Sequence, residues 1–130
     1  MVIHPKVSLN CLSAMKLQIN SNQFKYFRQV LELLSPFAPF NTISGREKDV
    51  LSQLLTYNWT VIDLTKEERD SYVFSKAAKE KMRKTLNISK PSFDNQMAAL
   101  RRKGFITYDA IVAKHEMRMD TELTFTFQIQ

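Results

Sequence analysis

Two amphipathic helical patterns separated by only three residues constrain the fold of this chain more than any other feature. The first pattern covers residues 75–86 and the second covers residues 90–103. Apolar side chains recur at helical spacing along one face of each: Ala78, Met82 and Leu86 in the first, and Phe93, Met97 and Leu100 in the second. Because so short a connection holds the two helices at a steep angle, the spacing predicts a helix-turn-helix.

Local signals mark the ends of both helices. Ser75 and Ser89 are suited to N-cap positions, and Pro91 is tolerated in the first turn of the second helix. Gly104 follows the second helix and is expected to end it. The three residues between the helices, 87–89, are expected to form a tight connection.

The preceding sequence predicts two further helices and a short one. Phe24, Phe27 and Val30 belong to an apolar stripe that predicts a helix over 22–34, stopped by Ser35-Pro36. Capping boxes then open helices over 44–57 and from 65 to about 74, where Ser44 pairs with Glu47, and Thr65 with Glu68. Asn58 is expected to end the first of these in a left-handed conformation. Residues 16–20 and 59–64 have the character of short strands.

The carboxyl-terminal part predicts a β-hairpin. A strand begins at 105–108, the polar stretch 113–120 is suited to a hairpin tip, and residues 123–129 alternate strictly between apolar and polar. A hairpin that directly follows a helix-turn-helix makes a winged helix. The expected fold is therefore α+β, mainly α: a winged helix-turn-helix domain at 41–130 with a β-hairpin wing, preceded by a helical extension at 1–40.

Positive charge is concentrated in the helix-turn-helix segment. The chain of 130 residues carries a net charge of +6. Residues 76–103 contain nine basic and two acidic residues, which gives +7, so the remaining residues sum to −1. A basic face of this kind is typical of proteins that bind a polyanion.

Composition disfavours several other classes of protein. Hydrophobic residues are 44% of the chain, yet no apolar run is long enough for a membrane span, and the first twenty residues lack the pattern of a signal peptide. With a single cysteine, Cys11, a reducing, cytoplasmic location is expected. Two glycines leave no phosphate-binding loop, and Cys11, His4 and His115 are too scattered for a zinc site. We therefore expect no enzyme activity, no metal and no cofactor.

The motif residues resemble a known family. Leu86-Asn87-Ile88-Ser89 with Phe93, and then Leu100-Arg101-Arg102-Lys103-Gly104-Phe105-Ile106, resemble the recognition segment of winged-helix regulators of the MarR type. The helix at 44–57 is similar to the one upstream in those regulators, and the same pattern occurs in plasmid and phage replication proteins of the RepL type. The resemblance covers 44–57 and 75–108. It implies that the helix at 90–103 enters the major groove of DNA.

The expected DNA contacts fall into three groups. On the helix at 90–103, the candidates for base or phosphate contact are Lys90, Ser92, Asn95, Ala99 and Arg102, flanked by Arg101 and Lys103. On the preceding helix, the candidates for backbone contact are Lys76, Lys79, Arg83 and Lys84. At the wing tip they are Lys114, His115 and Arg118.

The sequence thus favours a protein that binds double-stranded DNA with sequence preference, acting as a transcriptional regulator. A replication initiation or phage DNA-processing factor would need the same residues, and a winged helix that docks protein subunits is a further alternative. The helix at 22–34, with Phe37 and Phe40, is either the surface of a homodimer or part of the chain's own core.

Overall fold

The computed structural model describes residues 2–3, 23–119 and 125–126. Five α-helices form the described part: α1 (Gln23–Leu34), α2 (Gly45–Thr60), α3 (Lys66–Val73), α4 (Lys76–Leu86) and α5 (Lys90–Arg102). Together with two short 3-10 turns, Phe40–Thr42 and Ala113–His115, they make 68% of residues 23–119 helical. Within the described residues no helix is long and apolar enough to cross a membrane.

Helix α2 is the centre of the fold, and each of the other four helices contacts it. Its apolar side chains Val50, Leu51, Leu54 and Leu55 are almost completely buried. Because the helix is surrounded, some polar residues are buried on it too, and their burial costs less where they find partners within the fold. The Ser52 hydroxyl does so by donating to the Lys48 carbonyl at 2.7 Å.

Both predicted capping boxes are present and fix the starts of α2 and α3. The Ser44 hydroxyl accepts from the Glu47 amide at 3.2 Å, and the Glu47 carboxylate accepts from the Ser44 amide at 3.0 Å. The same reciprocal pair joins Thr65 and Glu68 at the start of α3. Since each box satisfies two amides that have no partner inside the helix, these short polar motifs determine where the helices begin.

The predicted strand at 59–64 is wrong. Helix α2 continues through Trp59 to Thr60, and Asn58, expected to end it, is a fully buried residue of the helix. Trp59 packs against the core as a partly buried side chain, and this contact outweighs the strand preference of the segment. The chain then turns through 61–64 with hydrogen bonds from Val61 to Asn58 and from Leu64 to Val61.

The winged-helix prediction is also wrong, because the described residues contain no β-hairpin wing. After Ile106 the chain reverses within four residues, so that Thr107 N–H donates to the Ala110 carbonyl at 2.8 Å and a single bridge joins Ile106 to Ile111. Burial of both isoleucines holds this tight turn against the core. The strand expected at 105–108 is thereby reduced to one bridging residue.

The other half of the predicted hairpin pairs elsewhere. Strand β1 (Val2–Ile3) and strand β2 (Phe125–Thr126) form a two-stranded antiparallel sheet, with Val2 opposite Thr126. The backbone at 125–126 therefore pairs with the amino terminus rather than with 105–108. The strand expected at 16–20 and the rest of 123–129 lie outside the described residues.

An ionic cluster holds the segment after α5 against α3. Arg69 donates to the Glu116 carboxylate at 2.7 Å, and Lys66 lies 3.3 Å from the other oxygen of the same group. Lys66 also donates to the Ile111 carbonyl at 2.8 Å, while Asp70 accepts from the Ile111 amide at 3.3 Å. Since Arg69, Asp70 and Glu116 are largely buried, the pairing of Arg69 with Glu116 and of Asp70 with Lys66 offsets the cost of taking the charges out of water.

Candidate nucleic-acid interface

The connection between α4 and α5 is a hydrogen-bonded turn of three residues, as the sequence predicts. Asn87 has a left-handed backbone, with φ of 55°, and its amide donates to the Lys84 carbonyl at 3.1 Å. Ser89 then caps α5 by accepting from the Ser92 amide at 3.2 Å. The turn therefore carries its own hydrogen bonds, and the orientation of α5 relative to α4 is fixed locally.

Arg83 braces the same turn from α4. Its guanidinium donates to the Ile88 carbonyl at 3.1 Å and to the Glu80 carboxylate at 2.5 Å. The hydrogen bond from Arg83 lowers the pKa of Glu80, so this acid stays ionised beside the basic residues of α4. Arg83, predicted as a contact to the DNA backbone, thus has a structural role in the turn.

The buried faces of α4 and α5 are those predicted. Ala78 and Met82 on α4, and Phe93, Met97 and Leu100 on α5, belong to the core that surrounds α2. Because these side chains pack on α2, both helices are held in place by the core, and the opposite face of each is in contact with solvent.

On the outward face of α5, the structure exposes Pro91, Asn95 and Arg102. By helical spacing these three lie opposite Phe93. Asn95 offers the amide geometry that matches adenine, and Arg102 offers the two donors that match guanine or a phosphate. Lys90 and Ser92 lie in the first turn of the helix, where Lys90 is exposed and Ser92 is half-buried.

Most basic residues of α4 and α5 have no acidic partner among the described residues. Of the nine in residues 76–103, three form ion pairs: Arg83 with Glu80, Lys90 with Asp94, and Lys103 with Glu47. The other six pair with no carboxylate in the part of the chain that the structure describes: Lys76, Lys79, Lys81, Lys84, Arg101 and Arg102. The positive charge of this surface is therefore available to an external anion.

Two residues predicted at the interface are turned into the fold. Ala99 is only 5% exposed, so its methyl group packs inward and is not a DNA contact. Lys103 donates to the Glu47 carboxylate at 2.5 Å and to the Thr42 carbonyl at 2.6 Å. Burial opposes ionisation of Glu47, but the hydrogen bonds from Lys103 and from the Ser44 amide lower its pKa overall.

The predicted wing tip does not form. Residues 113–115 make a 3-10 turn that buries His115, whose ring lies 4.6 Å from that of Phe105 and 5.8 Å from that of Phe40. Lys114 and Arg118 are exposed on this compact segment and do not project on a hairpin. The described part of the chain thus offers α4 and α5 as its basic surface, without a wing.

The sequence reasoning missed one surface feature next to α5. Tyr108 lies at the tip of the turn after the helix, and the Arg101 guanidinium carbon is 4.3 Å from the centre of its ring. The segment Thr107-Tyr108-Asp109 itself favours a tight turn, since Thr107 and Asp109 form the side-chain hydrogen bonds typical of one. The preceding Phe105 and Ile106 nevertheless predict the start of a strand at this point.

The helix proposed as a dimer surface uses its apolar face within the chain. Tyr26, Phe27, Val30 and Leu31 of α1 are buried against α2.

Among the described residues, no group of three or more histidine, cysteine or acidic side chains is placed to hold a metal ion. The exposed faces of α4 and α5 offer a ligand positive charge and hydrogen-bond donors.

Comparisons of the chain with protein-family models, with curated proteins and with solved structures find no match. The resemblance of residues 44–57 and 75–108 to MarR-type and RepL-type proteins stays a prediction from the motif alone.

Proposed function

We propose that this protein binds double-stranded DNA through α4 and α5, with α5 in the major groove. The observation that carries the proposal is the set of six basic residues on these two helices that no carboxylate of the described part neutralises. A helix-turn-helix needs no wing to place its second helix against base edges, so losing the wing removes some contacts and not the mode of binding.

The two helices would make different kinds of contact with DNA. Lys76 and Lys84 on α4 are exposed and suited to the phosphate backbone, which gives affinity without sequence preference. Asn95 on α5 carries the amide that matches adenine in the major groove, and Arg102, at the end of α5, carries the donors that match guanine or a phosphate. With about five phosphates neutralised, the logarithm of the binding constant should fall with the logarithm of salt concentration at a slope near −4 to −5.

Two single-charge variants on exposed helical arginines test the proposal. Arg102 lies on the outward face of α5, whereas Arg46 is exposed in the first turn of α2, a helix that carries none of the six basic residues. In fluorescence anisotropy with duplex DNA at low salt, Arg102→Ala should weaken binding about tenfold, as expected for the loss of one good contact. Arg46→Ala, which removes the same charge, should leave affinity within about twofold.

Three results would speak against the proposal. The first is a wild-type protein that binds no duplex at about 50 mM salt. The second is an equal loss of affinity in both variants, which would show general attraction between net charges. The third is binding that depends on neither arginine.

The process that DNA binding serves is proposed as transcriptional regulation, with replication or phage DNA processing as the alternative. Selecting bound fragments from the source genome and footprinting them would distinguish these. A regulator should protect a palindrome near a promoter, and an initiator should protect repeated sites at an origin.

A further inference from the structure

Tyr108 is the most solvent-exposed large apolar side chain in the described part of the chain, with 81% of its surface accessible. Its backbone is nevertheless well fixed. The hydrogen bonds from Thr107 to Ala110 and from the Asp109 amide to the Thr107 hydroxyl close the turn, and Ile106 and Ile111 anchor its two ends in the core. An aromatic ring is therefore presented to solvent on a rigid support.

The Arg101 guanidinium covers one face of the ring at 4.3 Å. Arg101 forms no ion pair with the described acidic residues, so its charge is not neutralised by the fold. Asp109 has a partner of its own, since its carboxylate accepts from the Thr107 hydroxyl at 3.2 Å. One face of Tyr108 is thus held by a cation, and the other is open to a planar ligand.

The position of Arg101 and Tyr108 relative to α5 suggests which class of ligand they bind. Arg101 lies in the last turn of α5, about 16 Å along the helix axis from Lys90, at 1.5 Å per residue. With the amino-terminal half of α5 in the major groove, the Tyr108 turn would lie outside the groove, beside the sugar–phosphate backbone. In an intact duplex the bases are stacked inside, so a ring at this position would contact only sugars and phosphates.

We propose that Arg101 and Tyr108 bind an unpaired base next to the duplex held by α4 and α5, so that the protein prefers duplex ends, gaps or junctions with a single strand. This inference rests on the proposed function. The open face of Tyr108 stacks on the base, which every base permits, while Arg101 contacts the adjacent phosphate. The ligand class is therefore duplex DNA with a single-stranded extension, with little preference for the base that stacks.

Three DNA ligands test the proposal: a blunt duplex one binding site long, the same duplex with a short thymine overhang, and the same duplex with an abasic overhang. The two overhangs carry equal phosphate charge and differ only in the bases. Wild-type protein should bind the thymine overhang about tenfold more tightly than the abasic one. Tyr108→Ala should abolish this difference, whereas Tyr108→Phe should retain it.

Because Tyr108 is exposed, its replacement by alanine should change the free energy of unfolding by no more than about 0.5 kcal/mol, which a thermal melt would verify. Equal binding of the thymine and abasic overhangs by wild-type protein would overturn the inference, and so would a thymine preference that survives in Tyr108→Ala. In both cases, tight binding of the blunt duplex would leave the proposed function intact. Failure to bind even the blunt duplex would overturn both proposals.

Discussion

Lys103 and Glu47 form an ion pair across 56 positions of the sequence, with the ammonium group 2.5 Å from the carboxylate oxygen. Lys103 is the C-cap residue of α5, and Glu47 completes the capping box of α2. The pair therefore connects the end of the proposed recognition helix to the start of the central helix. A residue that the sequence assigns to DNA thus positions the helix that bears the DNA contacts.

Removing this pair should lower stability more than removing an exposed cation. We expect Lys103→Ala to reduce the free energy of unfolding by about 1.5–3 kcal/mol, because the Glu47 side chain, only 11% exposed, loses a charged hydrogen-bond partner. Lys84→Ala is the matched control, since Lys84 is exposed and forms no ion pair with a described carboxylate, and its effect should stay within about 0.5 kcal/mol. Urea denaturation measures both values.

A double-mutant cycle with Glu47→Ala separates the ion pair from the capping box. The coupling between Lys103 and Glu47 should be at least about 0.5 kcal/mol, and Glu47→Ala alone should cost more than Lys103→Ala because it also breaks the box with Ser44. Additive losses would show that the contact contributes nothing to the fold.

Arg83 should behave as a brace for the turn and not as an ordinary phosphate contact. Arg83→Ala should reduce the free energy of unfolding by about 1–2 kcal/mol, because it leaves the Ile88 carbonyl without this donor, and loss of the exposed pair with Glu80 adds little. Arg83→Lys keeps the charge but cannot donate to both groups in the same geometry, so it should recover little of the loss. Chemical denaturation is the measurement. Full recovery of stability with lysine would indicate that charge alone matters at this position.

The left-handed backbone of Asn87 makes a prediction about the turn itself. A β-branched side chain is strained at φ of 55°, so Asn87→Val should cost about 1–2 kcal/mol of stability. Asn87→Gly should be nearly neutral because glycine adopts this conformation freely. Thermal denaturation distinguishes the two variants. Equal effects would mean that the side chain of Asn87, and not its backbone conformation, stabilises the turn.

Sequence reasoning predicted the parts of this fold that short-range interactions determine. The capping boxes at Ser44 and Thr65 and the apolar spacing of Phe93 and Met97 act within one or two helical turns, so the sequence shows them directly. The helical course of Trp59 and the tight turn at Tyr108 depend on contacts with distant parts of the chain. Their local strand preference was therefore misleading.

The same limit applies to the candidate site. Helical spacing correctly identified Asn95 and Arg102 as outward-facing on α5. It could not show that Lys103 reaches Glu47, because that partner lies on another helix. Charge counting finds where cations are concentrated, whereas only the packing of the helices shows which of them remain unpaired.

His115 gives the protein a predicted dependence on pH. Its ring is buried against Phe105 and Phe40, and desolvation, together with the positive charge of Lys114, lowers its pKa. The folded state therefore disfavours the protonated ring, whereas the unfolded chain takes up a proton near the ordinary pKa of about 6.5. Stability should thus be complete above that value and should decrease as the pH falls below it.

Thermal melts between about pH 7.5 and pH 5.5 test this dependence in a range above the titration of most carboxylates. His4 is the other histidine of the chain, so the comparison is best made in a His4→Gln background, where His115 is the only histidine. In that background the melting temperature should fall toward acidic pH, and adding His115→Gln should flatten the curve even if it lowers stability overall. An unchanged slope after the second substitution would assign the pH dependence to other groups. A melting temperature that rises toward acidic pH would contradict the lowered pKa itself, because it would mean that the folded protein binds the proton more tightly than the unfolded chain.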